Sequence, residues 1–588
     1  MSEKDNMVSK ENMDSHDYES IVIGSGFGGA VSSLRQSQKW PGKVLLVERG
    51  KSYPMGSFPR SPYEFETKGF FTLDENTHKR SKVLRKKATN GLFDIRNYED
   101  MDVVLAAGLG GGSLIYANVL LEPPEDVLEK WPKNFQKNSL MAHYRTVKKI
   151  MHARKLPEED GKDWKLDKLA YYREGAKALG RKSELVDLAV YFGPGHSKPD
   201  KPGVQSENAF GAKQTSCTLC AECDVGCNVH AKNTLDLNYI YAARKEHGLN
   251  VRTDTLATKV SPVDRQMKDS SEERGQFGYR VYFKNLVSGE EFSHTTKRVT
   301  LSAGTLGSNE LLLRCRDEHK TLPALSKKLG TGFSGNGDFL SIVFDNKKIV
   351  NPNKGPVITQ RIDFDLFYKT SPQPSGRFIL EDASFPAFLS WFVEGMRPVE
   401  KSLILMKEVA FDFMKRTFGI ATSARLSATF QRSLSDEVSK RASVHLCMGL
   451  DASDGRVYLD DGKLELEWDR KKSMGLYEKI ILSVKSFKKI FSGAFFVPVP
   501  AWGIFSKKNV TVHALGGCHL AANENEGVVS AVDDGERRLG ELFGYKNFFV
   551  ADGSVLPSAV GANPSLTIAA VAEKINASIT SDSQSQCF

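Results

Sequence analysis

Hydrophobic and polar positions at the start of the chain follow an order that predicts two buried strands joined by a helix. Ile21–Ile23 is a short β-branched run, which favours a strand. It ends in a glycine-rich turn, after which apolar residues such as Ala30 and Leu34 recur at helical spacing. A second apolar run, Val44–Val47, predicts another strand and stops at the acidic Glu48.

The turn between these strands reads Gly24-Ser25-Gly26-Phe27-Gly28-Gly29, a G-x-G-x-x-G motif. Gly24 makes the tight turn, Gly26 lets the backbone approach a pyrophosphate, and Gly29 lets the helix pack closely on the strand. The helix start offers free N–H groups and a positive dipole end to the phosphates. Glu48, about twenty residues further on, is placed to accept the ribose hydroxyls. The motif indicates a dinucleotide site, with a plain glycine-rich turn as the alternative.

The far end of the chain predicts a second strand, turn and helix within residues 547–571. Phe548–Val550 is the strand, Asp552 and Gly553 form the turn, and a helix opens at Asn563 and Pro564. Proline suits the first helical position because its missing N–H is not needed there. A helix start in this place can face an electron-rich ring system and stabilise negative charge on it, which a reduced flavin requires.

Five segments resemble the glucose–methanol–choline (GMC) family of flavin oxidoreductases, most closely its cholesterol-oxidase-like branch. They read GSGFGG at 24–29, GLGGGSLIYANVLLEP at 108–123, VTLSAGTLGSNELL at 299–312, VTVHALGGC at 510–518 and ADGSVLPSAVGANPSLT at 551–567. Together they run from the first predicted strand to the last predicted helix, so the resemblance covers nearly the whole chain. It does not fix the substrate.

The resemblance implies an α/β fold (α+β overall) of two domains. The first is a Rossmann-like three-layer FAD-binding domain, discontinuous in sequence, for which we expect residues 18–125, 217–312 and 508–578. The second is a substrate-binding domain of mainly antiparallel sheet plus helices, made from residues 126–216 and 313–507. Residues 1–17 and 579–588 are polar and are expected to be tails, the first of them disordered.

FAD is the implied cofactor, and we expect it to be non-covalent because the glycine segments beside it carry no His or Cys. In the resembling family the segment 108–118 lies along the flavin, where small residues let the backbone run close to the ring. The residues expected to contact FAD are Gly24, Gly26, Phe27, Gly29, Glu48, Gly110, Ser113, Tyr116, Asn118, Ala257, Ala303, Gly304, Asp552, Gly553, Asn563, Pro564 and Thr567.

His513 and Asn563 match the catalytic pair of the resembling family, in which the two side chains face the reactive edge of the flavin. Alcohol oxidation removes a hydroxyl proton and transfers the α-hydrogen as hydride to flavin N5. A neutral imidazole is suited to take that proton, and an amide at a helix start can hydrogen-bond the substrate oxygen. Taken alone, a histidine at a strand end is more often a structural residue.

Four of the eight cysteines fall in CTLCAECDVGC, as Cys217, Cys220, Cys223 and Cys227. The C-x2-C-x2-C-x3-C spacing is that of the bacterial ferredoxin run, although Asn228 replaces the proline that usually follows. Thiolates suit an iron–sulfur cluster or zinc, and reduced packing thiols are the third reading. Disulfides are not expected without a secretion signal. The spacing leaves these alternatives open.

Residues 338–505 contain few glycine motifs and several aromatic stretches, among them 385–393 and 491–505. Such stripes are common in protein cores. In a region that should cover the flavin they also predict an apolar cavity with a lipid-like entrance, suited to a bulky apolar alcohol. Basic residues between 401 and 416 add a contact with an anionic membrane face as a further expectation.

Bulk composition limits the choice of function without naming one. The chain has 588 residues, 40% of them hydrophobic and 26% charged, which is ordinary for a globular protein. The net charge of +9 is modest for this length, and no nucleic-acid motif accompanies it. The N-terminus lacks the apolar core of a signal peptide, and no apolar run approaches the roughly eighteen residues of a membrane span. We therefore expect a cytoplasmic protein, or one attached peripherally to a membrane.

The sequence thus predicts FAD-dependent oxidation of a sterol-like or 3-hydroxysteroid-like alcohol to the ketone, with oxygen as acceptor. One rival is a dehydrogenase that passes electrons through a cysteine-bound cluster to a carrier, and another is a flavin-binding sensor without turnover. Sterol oxidases that also shift the steroid double bond use a carboxylate just before the strand that here reads SVHLCMGL. Ser439 stands at that place, with Asp436 and Glu437 slightly upstream. Either a register shift brings one of these acids into place or isomerisation is absent, and we expect it to be absent.

Overall fold

The computed structural model describes residues 16–73, 89–195, 198–368, 376–390, 393, 439–499 and 508–581. The aromatic and basic residues between 394 and 438, and the end of the stretch 491–505, lie outside this part of the chain. So do residues 1–15 and 582–588, which hold most of the two predicted tails.

Five parallel strands form the centre of the first sheet, which has seven strands in all. Ile21–Ile23 lies in the strand Tyr18–Ile23, and the predicted strand Val44–Val47 is observed with the same bounds. In spatial order the strands are Asn250–Arg252, Val44–Val47, Tyr18–Ile23, Glu291–Leu301, Tyr279–Asn285 and Thr255–Pro262, with Phe548–Val550 also paired to Glu291–Leu301. Parallel neighbours place their carboxyl ends at one edge, where a ligand is expected to bind.

Helices cover the first sheet. Phe27–Lys39 packs against Tyr239–His247 and against the C-terminal helix Ser565–Thr580. The C-terminal helix also contacts Lys137–Ile150, and the Tyr144 hydroxyl lies 3.3 Å from Thr567 Oγ1. Part of the segment that we assigned to the substrate-binding domain therefore packs with the helices of the first sheet.

The second sheet has six strands, and every pairing in it is antiparallel. In spatial order they are Phe495–Val499, Phe339–Phe344, Ser443–Gly449, Phe378–Ala383, Gln360–Phe364 and Ser183–Leu185. Side chains alternate between its faces. One face packs in a common core with the helices Met474–Ile490 and Asp167–Ala178, and the other meets residues from the cysteine segment and from the end of the segment 108–123.

Smaller elements complete the fold. The other strands are Phe93–Asn97, Met101–Ala106, Gln205–Glu207, Lys213–Thr215, Thr331–Phe333, Gly455–Asp460, Lys463–Glu467, Asn509–Thr511, Leu520–Ala521 and Val529–Ser530. In the part of the chain that the structure describes, the other α-helices are Pro62–Glu64, Glu125–Leu128 and Gly304–Leu313. Within the described residues no helix is long and apolar enough to cross a membrane.

The architecture confirms the predicted fold class, with a Rossmann-like sheet and a separate antiparallel sheet with helices. The strands of the first sheet lie in residues 18–47, 250–301 and 548–550, and those of the second in 183–185, 339–383 and 443–499. The exact domain boundaries stay a prediction.

Candidate active site

The first glycine turn has the geometry that the motif requires. Gly24 has φ +95°, and a Cβ there would lie 2.3 Å from Ser302 O, so the turn admits only glycine. A Cβ on Gly29 would lie 1.8 Å from Gly24 O, because helix and strand meet closely at this point. A Cβ on Gly26 would have no neighbour within 4 Å, which leaves its backbone open to a ligand at the helix start. The aromatic ring of Phe27 packs edge-on against Tyr116.

Glu48 is buried beside this turn. Its Oε2 accepts hydrogen bonds from Ser25 N at 3.0 Å and Ser25 Oγ at 2.6 Å, and its Oε1 accepts one from Gly50 N at 2.9 Å. The carboxylate thus lies directly after the strand Val44–Val47 and next to the first glycine turn. Sequence reasoning found Glu48 but missed Ser25, whose hydroxyl also accepts a hydrogen bond from Gly110 N.

A cavity of about 250 Å³ opens at the carboxyl edge of the first sheet. Gly24, Ala257 and Ala303, all predicted cofactor contacts, line it together with Val47 and Arg49. The structure therefore brings three predicted residues from distant parts of the chain to one ligand-sized space.

The second glycine segment crosses the first. A Cβ on Gly111 would lie 2.6 Å from Gly26 Cα, so the two backbones touch. Ser113 Oγ donates to Gly110 O and accepts from Leu235 N, and the Tyr116 hydroxyl donates to Asn233 O. These hydrogen bonds hold the segment in place, and contact of Ser113 and Tyr116 with a cofactor stays a prediction.

Asn118 is different from its neighbours in this segment. It is fully buried with φ +69°, and neither of its side-chain polar atoms has a hydrogen-bond partner within the described structure. It borders a small cavity shared with the four clustered cysteines. An unpartnered buried amide is costly, so Asn118 stays a candidate for contact with a bound group.

Asp552 ties the last strand to the helix Gly304–Leu313. Its Oδ2 accepts from Gly304 N at 2.9 Å and from Ser308 Oγ at 2.5 Å, while its Oδ1 accepts from Ser554. Burial raises the pKa of Asp552, and these hydrogen bonds act in the opposite direction. The predicted set Gly304, Asp552 and Gly553 is thus brought together, with the carboxylate engaged by the protein itself. Pro564 is the residue just before the C-terminal helix, one position earlier than the first helical position that we predicted for it.

His513 is held by a carboxylate that the sequence did not reveal. Asp338 Oδ1 lies 2.8 Å from His513 Nδ1. Asp338 Oδ2 accepts from Thr511 Oγ1 at 2.9 Å and from Val512 N at 3.0 Å, and Thr511 Oγ1 accepts from His513 N. An ionised carboxylate can only accept, so Nδ1 carries the proton and Nε2 is the free base.

Asn563 meets a second carboxylate that we did not predict. Its Nδ2 donates to Glu381 Oε2 at 3.2 Å, and Glu381 is fully buried. Burial raises the pKa of Glu381 to about 8, while the hydrogen bond from Asn563 lowers it. In the sequence, the pair of acidic residues inside the otherwise apolar strand Phe378–Ala383 could have pointed to Glu381.

The loops that carry these two pairs are joined. Asn336 Oδ1 accepts hydrogen bonds from Val560 N and Gly561 N, and Asn336 Nδ2 donates to Ala562 O. The loop that ends at Asp338 is thereby fixed to the loop that ends at Asn563. The charge of Asp338 also acts on Glu381, so the two acidic side chains lie in one electrostatic environment.

No acidic residue stands at the place that the family resemblance gives to an isomerising carboxylate. Ser439 is buried there, while Asp436 and Glu437 lie outside the described residues. The structure places Glu381, from a different strand, next to Asn563. Glu381 is therefore an acidic side chain beside the predicted site that the sequence comparison did not include.

The four cysteines line one cavity of about 20 Å³ next to Lys232. Burial raises the pKa of the Cys217 thiol and raises that of Cys220 to about 12. Across the described residues, no three His, Cys, Asp or Glu side chains form a group that could hold a metal ion. The structure therefore does not support the iron–sulfur cluster or the zinc site that the spacing suggested.

Comparisons with known proteins agree with this geometry. A family model described as GMC oxidoreductase matches residues 18–329, and a companion model with the same description matches residues 479–572. Cholesterol oxidases of Acinetobacter baumannii and Mycobacterium tuberculosis are 27% and 25% identical, over 96% and 95% of this chain and 94% and 90% of theirs. A long-chain-alcohol oxidase of Arabidopsis thaliana is 23% identical, over 95% of this chain and 67% of its own. A fungal aryl-alcohol oxidase has a similar structure, with TM-score 0.55, 12% identity and coverage of 96% and 99% of the two chains.

Proposed function

Because the chain belongs to the GMC oxidoreductase family, we propose that it uses FAD to oxidise a bulky apolar alcohol of the sterol or 3-hydroxysteroid class to a ketone, with oxygen as acceptor. The observation that supports the substrate class is the face of the second sheet that meets the cysteine segment. A single row of paired residues crosses all six of its strands: Val499, Leu340, Leu446, Glu381, Arg361 and Glu184. We call it the cross-strand row.

The apolar half of the cross-strand row supports a flat substrate. Val499, Leu340 and Leu446 are only partly buried, and Val497 lies on the same face two residues before Val499. Aliphatic side chains on a sheet form a broad, nearly planar surface, which matches a fused-ring skeleton better than a narrow tunnel would. This surface ends at Glu381 and Asn563, so the hydroxyl of a bound sterol would lie at the polar end.

The residues of this chain supply the proton chemistry. His513 Nε2, left free by the bond between Nδ1 and Asp338, takes the substrate hydroxyl proton. The second N–H of Asn563 Nδ2, not used by Glu381, donates to the substrate oxygen and holds it in place. FAD, when bound, supplies the acceptor for the hydride from the substrate carbon.

Several observations fit FAD at the first sheet. The open side of Gly26 at the helix start suits the pyrophosphate, and the cavity beside Ala257 and Ala303 suits the adenosine end. A Cβ on Gly112 would have no neighbour within 4 Å, so the second glycine segment also presents bare backbone. Glu48 would accept the ribose hydroxyls, and Asn118 offers unpartnered polar atoms along the flavin segment.

Removing the Glu48 carboxylate should weaken FAD binding. Glu48→Ala loses the ribose hydrogen bonds, on the order of 1–3 kcal/mol, and Kd should rise accordingly. Titration of apoprotein with FAD, followed by fluorescence, measures this. Ser25→Ala is the matched control, since it removes one protein contact of the same carboxylate and should have a smaller effect. Equal affinity of wild type and Glu48→Ala would remove Glu48 from the binding site.

Glu381 supports a second activity, isomerisation of the steroid double bond after oxidation. A buried carboxyl group beside the residue that holds the substrate oxygen is placed to move a proton between neighbouring ring carbons. Burial raises the pKa of Glu381 to about 8, which is close to neutral pH, so the carboxyl group can both take and return a proton there. With a 5-ene 3β-hydroxysteroid, conjugated 4-en-3-one as product supports this activity, and unconjugated ketone alone contradicts it.

The two other readings make different predictions. A dehydrogenase that uses an electron carrier would reduce its flavin with alcohol but form little peroxide in air. A sensor would bind FAD and show no reduction by alcohol at all. Ketone and peroxide formed in equal amounts from a sterol in air support the oxidase, whereas ketone without peroxide supports the dehydrogenase. A panel that includes a long-chain primary alcohol tests the substrate class.

A basic surface next to the second sheet supports contact with an anionic membrane. Lys347 N donates to Phe491 O at 3.0 Å, and Arg441 Nη1 donates to Lys347 O, so these cations lie beside the end of the helix Met474–Ile490. Lys488 and Lys489 occupy its last turn, and Leu482 on the same helix is 64% exposed. Cations with an exposed apolar side chain suit the surface of an anionic bilayer.

Sedimentation with vesicles tests this surface. The protein should sediment with anionic vesicles and be released by salt. Lys488→Glu with Lys489→Glu should weaken binding by roughly 1 kcal/mol or more per residue. Lys327→Glu with Lys328→Glu, an exposed pair elsewhere, is the control and should bind like wild type. Equal binding to neutral and anionic vesicles at every salt concentration would contradict the electrostatic contact.

A further inference from the structure

The charged half of the cross-strand row leads from the substrate end of the sheet to solvent. Glu381, Arg361 and Glu184 are direct neighbours on three adjacent strands. Glu381 is fully buried, Arg361 is 8% exposed and the Glu184 side chain is 29% exposed. The row changes from aliphatic to charged at the residue that contacts Asn563.

Arg361 is fixed from its outer side. Its Nη2 donates to Glu184 Oε2 at 2.9 Å, and its guanidinium lies 3.7 Å from the centroid of the Phe367 ring. Glu184 is itself held, since the Tyr368 hydroxyl donates to it at 2.8 Å and Lys182 Nζ lies 2.6 Å from it. These contacts orient the guanidinium without using all of its donors.

One nitrogen of the Arg361 guanidinium and one oxygen of the Glu381 carboxyl group lack a hydrogen-bond partner. Within the described structure, Arg361 Nη1 and Glu381 Oε1 are buried without a hydrogen-bond partner. Residues paired across strands have Cβ atoms about 5 Å apart and point to the same face. A donor and an acceptor left open on neighbouring strands fit a single bridging water, which buried polar groups of this kind commonly hold.

We propose that Arg361 is a positioning residue for Glu381, acting through a water held between Arg361 Nη1 and Glu381 Oε1. The bridge fixes the second carboxyl oxygen while Asn563 fixes the first, so the carboxyl plane is set relative to the substrate. The guanidinium charge also favours the carboxylate form that must take the proton. The inference rests on the isomerisation proposed for Glu381.

The groups around Glu381 act on its pKa in both directions. Burial raises the pKa of Glu381 most, Asp382 on its own strand and Asp338 just before the strand Phe339–Phe344 raise it too, and Asn563 and Arg361 lower it. Cys447, across the sheet, is also within electrostatic range. Replacing Arg361 by a neutral residue therefore raises the pKa of Glu381 further, and a step that needs the carboxylate moves to higher pH.

Two substrates separate the step that uses Glu381 from alcohol oxidation in the FAD-loaded enzyme. A 3-oxo-5-ene steroid reports isomerisation alone, and a saturated 3β-hydroxysteroid reports oxidation alone. For Arg361→Gln we expect isomerisation to be roughly 10- to 100-fold slower at neutral pH, the range in which lost positioning is felt. Its pH profile should move to higher pH, while oxidation of the saturated alcohol stays within about twofold.

Two further variants control the experiment. Arg361→Lys keeps the charge but not the planar fork. Its pH profile should therefore lie closer to that of wild type than the profile of Arg361→Gln does, while its isomerisation rate should still fall. Arg181→Gln removes a similar edge arginine, paired with Asp365 at 2.7 Å, and it should leave both reactions unchanged. Arg361→Gln with the wild-type isomerisation rate and pH profile would overturn the proposal.

An infrared readout makes the test independent of turnover. The carboxyl band assigned by Glu381→Gln should disappear at higher pH in Arg361→Gln than in wild type. If wild type does not isomerise a 3-oxo-5-ene steroid, the proposed isomerase activity fails, and this titration still decides the role of Arg361. Identical titrations in both proteins would overturn that role. If Arg361→Gln does not fold, the isomerisation rate of Arg361→Lys decides, because loss of the planar fork should slow it, and a wild-type rate would overturn the proposal.

Discussion

Replacing His513 with alanine should slow reduction of bound flavin by a sterol by about 10²–10⁴-fold, the usual contribution of a positioned proton acceptor. Nε2 of this imidazole is the free base, because Asp338 engages Nδ1. FAD should stay bound, since the glycine segments and Glu48 lie in a different part of the fold. Anaerobic stopped-flow absorbance at saturating sterol measures the step directly.

His519 provides the matched control for this experiment. It follows His513 in the same segment, and its Nε2 lies 3.2 Å from Gly332 O. We can assign it no role in the reaction, so His519→Asn should reduce its flavin at nearly the wild-type rate. A His513→Ala enzyme that reduces flavin as fast as wild type would show that the site is wrongly placed.

Asp338→Asn should also cost about 10²–10⁴-fold in flavin reduction, although Asp338 need not touch the substrate. An amide can turn its NH2 group toward Nδ1, which then accepts and leaves the proton on Nε2, where it blocks the base. The contact between the buried Asp338 and the partly buried His513 makes this the second large effect that we expect.

Thr511→Val separates this effect from damage to the turn. It removes the hydrogen bond to Asp338 Oδ2 and the one that Thr511 Oγ1 accepts from His513 N, but it leaves the side-chain contact between Asp338 and His513, so the loss should be below about tenfold. Asp338→Asn combined with His513→Ala should be little slower than His513→Ala alone, because both act on one proton transfer. Fully additive losses would mean that Asp338 acts elsewhere.

Local pattern was enough for several elements of the first sheet, and the family resemblance gave the fold class. The glycine turn, the strand Val44–Val47 and the strand Phe548–Val550 are set by apolar runs and turn residues, which neighbours in sequence determine. The structure confirms these elements, and the family models confirm the resemblance that His513 and Asn563 helped to carry. The catalytic roles of these two residues stay predictions.

The partners of the two predicted catalytic residues could not be predicted in the same way. Asp338 is 175 residues from His513, and Glu381 is 182 residues from Asn563. Tertiary packing between the second sheet and the loops that carry His513 and Asn563 brings them together, and no local signal records that packing. A charged residue inside an apolar strand, as at Glu381, is nevertheless a warning that the strand faces a polar site.

The cysteine segment shows where spacing misleads. C-x2-C-x2-C-x3-C allows a loop to wrap a cluster, but it does not determine where the side chains point. In this chain Leu219 and Ala221 adopt positive φ between the cysteines, and the segment contributes to the core under the second sheet. The thiols border a cavity without forming a metal-binding group among the described residues.

The most direct test of the proposed function is an anaerobic titration of the FAD-loaded protein with a 3β-hydroxysteroid. The account predicts that the oxidised flavin bands bleach with one equivalent of sterol, that one ketone forms per flavin, and that Asp338→Asn and His513→Ala slow the bleaching. Flavin bands that persist with sterols and with long-chain alcohols alike would contradict it.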